Sequence, residues 1–149
     1  MSAEERNTIT FIVSSLFLLT YYVIHLNGMA ADGRLSGPDA VVNWARAVVW
    51  LIVAGIGFTI VITIIAAIAT AIITGEKKPS SLVDERDRLI RSWGMRVAMV
   101  AACVGFLIGV GALALAWPVV TGLNIIFAAF ALGALAGDIT KLALYRFGT

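Results

Sequence analysis

The sequence predicts an all-α protein, a bundle of four transmembrane helices that forms a single integral membrane domain. Four long apolar runs fill most of the 149 residues, of which 60% are hydrophobic and only 13% charged. A soluble domain has about a quarter charged residues, whereas a helix that spans a membrane needs about 20 mostly apolar ones. In addition, most of the positive charge lies at one set of helix ends. These observations leave room for four spans and little else.

The first two runs predict a helical hairpin at about 9–26 and about 44–74, joined by a glycine-containing loop. Ser2 with Glu5 three residues later is typical of a capping box, so the first helix is expected to start before the membrane. No small-residue cleavage pattern follows run one, so we interpret it as a retained helix and not as a signal peptide. Run two is longer than the bilayer core at about 1.5 Å per residue, which predicts that it tilts or projects.

A charged segment at 76–96 precedes the third run and predicts an amphipathic juxtamembrane helix, which either lies at the membrane interface or runs straight into run three. Asp84 with Arg88 and Asp87 with Arg91 are i,i+4 pairs with the acid on the N-terminal side, the favourable order on a helix.

The last two runs predict a second hairpin. Run three spans about 97–117 and run four about 123–144, with Pro118 and Gly122 in the turn between them. The segment from 76 to 96 therefore links the two hairpins.

The distribution of Lys and Arg predicts the orientation, because cytoplasmic loops carry an excess of both. Of the 11 such residues, Arg34 and Arg46 lie on one side. The other nine share the opposite side: Arg6, Lys77, Lys78, Arg86, Arg88, Arg91, Arg96, Lys141 and Arg146. We therefore expect a multi-pass protein of a prokaryotic cytoplasmic (inner) membrane with both termini inside. The net charge of +2 does not suggest a nucleic-acid partner.

The charged segment is the first candidate for a functional surface. Its central residues are Asp84, Glu85, Arg86, Asp87, Arg88 and Arg91. One interpretation is a solvated loop that sets topology, and the other is a docking surface for a protein partner or for anionic lipid headgroups. The mixture of acids and bases favours a protein contact over simple lipid binding.

Asp138 and Lys141 form a second candidate near the cytoplasmic end of helix four. Their i,i+3 spacing lets them pair on one helix face, and a lysine near a membrane boundary extends its ammonium to water. We expect Asp138 to accept a hydrogen bond from Arg86, Arg88 or Arg91 and so to fasten the charged segment to helix four. A proton or ion site is the alternative, because ionisable residues at membrane depth are often functional.

Small residues predict close helix packing. Gly105 and Gly109 are four residues apart, as are Gly133 and Gly137, and such faces let helix backbones approach closely. The faces fit packing of helix three on helix four, and they equally fit a seam between two copies of the chain. A homo-oligomer is therefore expected.

No catalytic constellation, metal-ligand cluster or cofactor motif is present in the sequence, so we expect neither an enzyme nor a bound cofactor. His25 and Met29 lie four residues apart and could ligate haem or a metal, but with one histidine in the chain an interfacial histidine is the favoured interpretation. Cys103 is the single cysteine, so it forms no intrachain disulfide, and it is typical of a small packing residue.

Two motifs resemble those of an uncharacterised prokaryotic family of small four-helix integral membrane proteins. They are the Asp-Glu-Arg-Asp sequence beginning at Asp84 and a Lys-Leu-x-x-Tyr-Arg ending that begins at Lys141. Phe147 stands where the family pattern has a second arginine. The resemblance covers the second half of the chain, with the first half alike in topology alone. It implies no activity, but members are often encoded beside small helix-turn-helix regulators, which implies a regulatory or sensing partnership.

The sequence therefore predicts a non-enzymatic regulatory, sensing or partner-binding membrane subunit. A small dimeric transporter or channel-like protein is the alternative. The residues at the helix centres offer it a poor polar path through the membrane: Ser14, Ser15, Thr59, Thr63 and Cys103. A membrane enzyme or cofactor carrier ranks last.

Overall fold

The computed structural model describes residues 3–74 and 85–148, and these contain four helices. The helices are α1 (Ala3–Ala31), α2 (Ala40–Thr74), α3 (Glu85–Ala114) and α4 (Val119–Phe147). All four are long and apolar enough to cross a membrane. For the described residues, the prediction of an all-α protein with four helices of this kind is confirmed.

Most of the helices extend beyond the apolar runs. An early start of the first helix and a charged segment that runs into run three were both expected, whereas the extensions of α2 and α4 correct the predicted boundaries. The α1 helix already begins at Ala3, and α3 begins at Glu85, so the described part of the charged segment continues directly into α3. Hydropathy detects the part of a helix that crosses the bilayer, whereas backbone hydrogen bonding continues into polar flanks. The capping boxes predicted from Ser2 and from Ser81 with Asp84 lie outside the described residues.

The turn between α3 and α4 ends α3 earlier than predicted, at Ala114. Ala116 has a φ of 59°, and the Trp117 amide donates to the carbonyl of Ala112 over 3.1 Å. This left-handed residue closes the helix end in the way that glycine often does, and it places Pro118 directly before α4.

The α3 and α4 helices pack with their backbones close together. A methyl group added at Gly137 would lie 2.6 Å from the carbonyl oxygen of Gly94, and one at Gly133 would lie 2.9 Å from that of Ala98. At Gly109 the corresponding distance to the Gly122 carbonyl oxygen is 3.0 Å. Glycines therefore line the contact along nearly the whole length of both helices.

The α1 helix packs on α4, while α2 packs mainly on α1 and touches α4 less. Larger side chains fill these contacts. Tyr22, Val48 and Leu51 form a buried cluster, and Phe17 stacks on Phe58 with ring centroids 4.7 Å apart. Much of the apolar surface of α2 is exposed, as suits a helix that faces lipid.

The chain direction brings three charged helix ends together. The start of α1, the start of α3 and the end of α4 lie at one end of the bundle, here named the charged end. The turn from α1 to α2 and the turn from α3 to α4 lie at the other, here named the opposite end.

Candidate functional site

At the charged end, an ion pair joins α1 to α4. Arg146 Nε lies 2.8 Å from Glu5 Oε1, and the Glu5 side chain is 12% exposed. A partly screened pair of this kind is worth more than a fully solvated one, although still of the order of 1 kcal/mol. It fixes the first turns of α1 against the end of the chain.

Two hydrogen bonds join α3 to α4 at the same end. The Tyr145 hydroxyl donates to Asp87 Oδ1 over 2.9 Å, and Arg86 Nη2 donates to the Gly148 carbonyl oxygen over 2.9 Å. With the Arg146–Glu5 ion pair, these contacts form what is here named the clasp. The clasp connects the described part of the charged segment to α4, as the sequence predicted, but through other residues.

Asp138 is not the residue that holds the charged segment, which corrects the sequence-based expectation. Its Oδ1 pairs with Lys141 Nζ at 2.8 Å, and among the described residues no ion pair joins it to Arg86, Arg88 or Arg91. Lys141 lies one helical turn away, so its ammonium reaches the carboxylate without crossing between helices.

The Lys141 stem crosses the α3–α4 contact at a glycine. A methyl group at Gly94 would lie 2.5 Å from Lys141 Cγ, so only a residue without a side chain fits beneath it. A small cavity of about 80 Å³ adjoins this point, lined by Glu4, Asn7, Thr8, Phe11, Arg91, Lys141 and Tyr145. Its mixed charge and small size suit ordered water. No cluster of His, Cys, Asp and Glu that could hold a metal occurs in the part of the chain that the structure describes.

The first turns of α3 separate their charges between two faces. Asp87 faces α4, and Ile90 is buried beside it. The outward side carries six exposed residues, here named the outer α3 face: Glu85, Arg88, Leu89, Ser92, Trp93 and Arg96. The Arg96 guanidinium lies 5.1 Å from the centroid of the Trp93 ring, a cation–π contact. This face therefore carries two arginines, one acid and two large apolar side chains, so the mixture of charges seen in the sequence remains but is mainly basic. Asp84 lies outside the described residues.

A second polar cluster lies towards the opposite end, and sequence reasoning missed it. The Tyr22 hydroxyl and Trp44 Nε1 both donate to the side-chain oxygen of Asn124, the latter over 2.6 Å. The three residues, here named the triad, come from α1, α2 and α4. The Phe127 ring packs against both aromatic members. An asparagine at the start of the fourth apolar run was the available signal.

The other residues that the sequence analysis singled out lie away from the clasp and the triad. Met29 lies within α1 and is buried, whereas His25 is exposed and stacks on Tyr21 with ring centroids 5.7 Å apart. The two residues thus differ in burial, and the His25 ring contacts Tyr21. Cys103 is exposed. Gly105 lies against Ala129 of α4, and with Gly109, Gly133 and Gly137 it belongs to the contact within the chain.

Comparison with known proteins yields no match: no family model, curated protein or solved structure is similar to this chain. The resemblance carried by the two motifs therefore stays a prediction.

Proposed function

We propose that this protein is a non-enzymatic, multi-pass subunit of a prokaryotic inner membrane that binds a regulatory or sensing partner on its cytoplasmic side. The outer α3 face is the proposed contact surface. The partner is a protein with an acidic, partly apolar patch, because that chemistry complements exposed guanidinium groups beside Leu89 and Trp93.

The observation that carries the proposal is the clasp. Three contacts from α1, α3 and α4 meet at one end of the bundle, although lipid-facing packing alone does not require them. Their effect is to fix the first turns of α3, and a fixed surface loses less conformational entropy on binding than a mobile one. Arg and Trp are also the residues most enriched among those that dominate binding energy at interfaces.

The cytoplasmic orientation is part of the proposal and is supported by charge. The charged end carries Arg6, Lys141 and Arg146 together with the basic residues of α3, whereas the opposite end carries Arg34 and Arg46. An excess of Lys and Arg near helix ends predicts the cytoplasmic side.

Site-specific photo-crosslinking in native membranes tests the proposal. A photoreactive residue at Arg88 should give a discrete adduct with a second protein, and the same residue at Arg34 serves as the matched control at the opposite end. Both positions are exposed arginines. Adding Arg96→Glu should reduce the Arg88 adduct several-fold, because a reversed charge repels an acidic partner.

Equal adducts from both positions, or adducts at Arg88 with lipid alone, would contradict the proposal.

Self-association is a further part of the proposal. Because Gly105, Gly109, Gly133 and Gly137 are occupied within the chain, a homo-oligomer would use another face. Native mass spectrometry from mild detergent should then show a defined multiple of the chain mass.

The transporter alternative draws less support from the geometry. Hydroxyl groups near the middle of the spans are bonded to their own helices, as with Ser14 to the Thr10 carbonyl and Thr63 to the Thr59 carbonyl. Such hydroxyls do not form a continuous polar path.

A further inference from the structure

A cavity at the opposite end lies above the triad. It encloses about 630 Å³ between the last turns of α1, the turn before α2, the start of α2 and the start of α4. That volume falls within the range of about 300–1,000 Å³ typical of small-molecule sites. Apolar residues form most of its wall, and the polar groups on it are those of Asn27, Ser36, Thr121 and Asn124.

The triad fixes how Asn124 presents its amide. An indole N–H only donates, so the Asn124 atom 2.6 Å from Trp44 Nε1 must be the carboxamide oxygen. The Tyr22 hydroxyl donates to the same oxygen. The amide nitrogen therefore points away from both donors. Within the described residues it has no acceptor, and of the triad members Asn124 is the one that lines the cavity.

The charge and polarity of the surroundings restrict the ligand. No residue lining the cavity is charged, so an ionic head would be desolvated there without a partner. On the other side of the triad, Tyr22 and Phe127 line an apolar groove of about 460 Å³ between α1, α2 and α4. The cavity, with its few polar groups, and the apolar groove thus lie on either side of the triad.

We infer that this cavity binds an uncharged lipid whose head offers a carbonyl oxygen to the Asn124 amide. The bonds from Tyr22 and Trp44 hold that donor in a fixed direction before the ligand arrives. Diacylglycerols and isoprenoid quinones share this head chemistry, and both are bilayer components with long apolar chains. The inference concerns the opposite end and does not depend on the partner proposed for the outer α3 face.

Native mass spectrometry of the purified protein in mild detergent tests the inference, with dioleoylglycerol, decylubiquinone and the anionic dioleoylphosphatidylglycerol added separately. The wild-type protein should retain at least one neutral probe and should not prefer the anionic one. Whichever neutral probe is retained identifies the source of the carbonyl head.

Two variants locate the site. Ala30→Phe places a ring in the cavity and should abolish retention, whereas Ala31→Phe, at the adjacent exposed position outside the cavity lining, should leave it unchanged. Asn124→Leu removes one hydrogen bond to the head and should weaken retention roughly tenfold. If circular dichroism shows that Asn124→Leu is misfolded, the comparison of Ala30→Phe with Ala31→Phe still tests whether the lipid binds in the cavity.

Retention of neither neutral probe by the wild-type protein would overturn the inference. Equal retention by Ala30→Phe and Ala31→Phe would overturn it too, because the lipid would then bind elsewhere. A preference for dioleoylphosphatidylglycerol would count against an uncharged ligand in the same way.

Discussion

The two hairpins of this molecule are both long and apolar enough to cross a membrane, but their helices are held together differently. In the α3–α4 hairpin, backbone lies against backbone, and a methyl group at Gly137 would meet the Gly94 carbonyl oxygen. In the α1–α2 hairpin, side chains separate the helices, and the nearest group to a methyl at Gly55 is the flexible end of Leu18. A side chain added in the α3–α4 contact would therefore meet backbone, which cannot move aside. One added in the α1–α2 contact would meet a side chain that can change rotamer.

This difference assigns distinct roles to the hairpins. Lipid tails are as apolar as leucine, so membrane helices associate chiefly through close van der Waals packing and polar contacts. The α3–α4 hairpin has such packing along its length and serves as the scaffold. The α1–α2 hairpin is attached to it at one end by the triad and at the other by the clasp, and the cavity and the apolar groove lie where packing is loosest.

The largest effect is expected where backbones touch. Gly137→Leu should destabilise the protein by about 3 kcal/mol, because a carbonyl oxygen of Gly94 cannot move aside. Gly55→Leu should cost about 1 kcal/mol, since the Leu18 side chain can change rotamer. Gly111→Leu is the control, as no atom lies within 4 Å of its added methyl group. Equilibrium unfolding in detergent micelles measures all three, and equal losses at Gly137 and Gly55 would remove the distinction between the hairpins.

A smaller effect is expected at the connection between the hairpins. Asn124→Leu leaves the Tyr22 hydroxyl and the Trp44 indole N–H without their acceptor, at a cost of about 1–3 kcal/mol. Asn27→Leu, an exposed asparagine at the same end, should change stability by less than about 0.5 kcal/mol. The same unfolding measurement applies, and Trp44 fluorescence should shift in the first variant alone. An Asn124 variant as stable as the Asn27 variant would show that the triad does not join the hairpins.

The smallest effect is expected at the clasp. Tyr145→Phe removes the hydrogen bond to Asp87 and should cost about 1 kcal/mol. Local opening of the first turns of α3 should become more frequent, so trypsin should cleave after Arg86 and Arg88 severalfold faster in inverted membrane vesicles. Tyr21→Phe, whose ring is exposed, is the control. Unchanged cleavage in Tyr145→Phe would mean that the clasp does not hold α3.

The four helices could be predicted from the sequence because an apolar run of about 20 residues is typical of a membrane-spanning helix. Sequence reasoning placed helix boundaries less well, since α2 and α4 extend beyond their apolar runs. The glycine spacing identified four positions of the α3–α4 contact. Gly94 was missed because it belonged to the charged segment, and Gly122 because it was assigned to a turn.

The sites depended on contacts that sequence spacing does not encode. Asp87 and Tyr145 are 58 residues apart, and Tyr22 and Asn124 are 102 apart. The i,i+3 spacing did indicate that Asp138 could pair with Lys141, but the sequence could not tell that Asp138 would pair with none of the arginines of the charged segment. The order of charges in the sequence also concealed that Asp87 turns inward while Arg88 and Arg96 face outward.

The central claim is that the charged end lies in the cytoplasm and presents the outer α3 face to a partner. Thiol labelling with a membrane-impermeant reagent tests it most directly, using Arg88→Cys and Ser36→Cys in a Cys103→Ser background. Position 36 should label only from outside the cell. Position 88 should label only in inverted vesicles. Labelling should be slow in native vesicles, where the partner covers the outer α3 face, and fast in liposomes that contain only the purified protein. Labelling of position 88 from outside, or at the same rate in native and reconstituted vesicles, would contradict the claim.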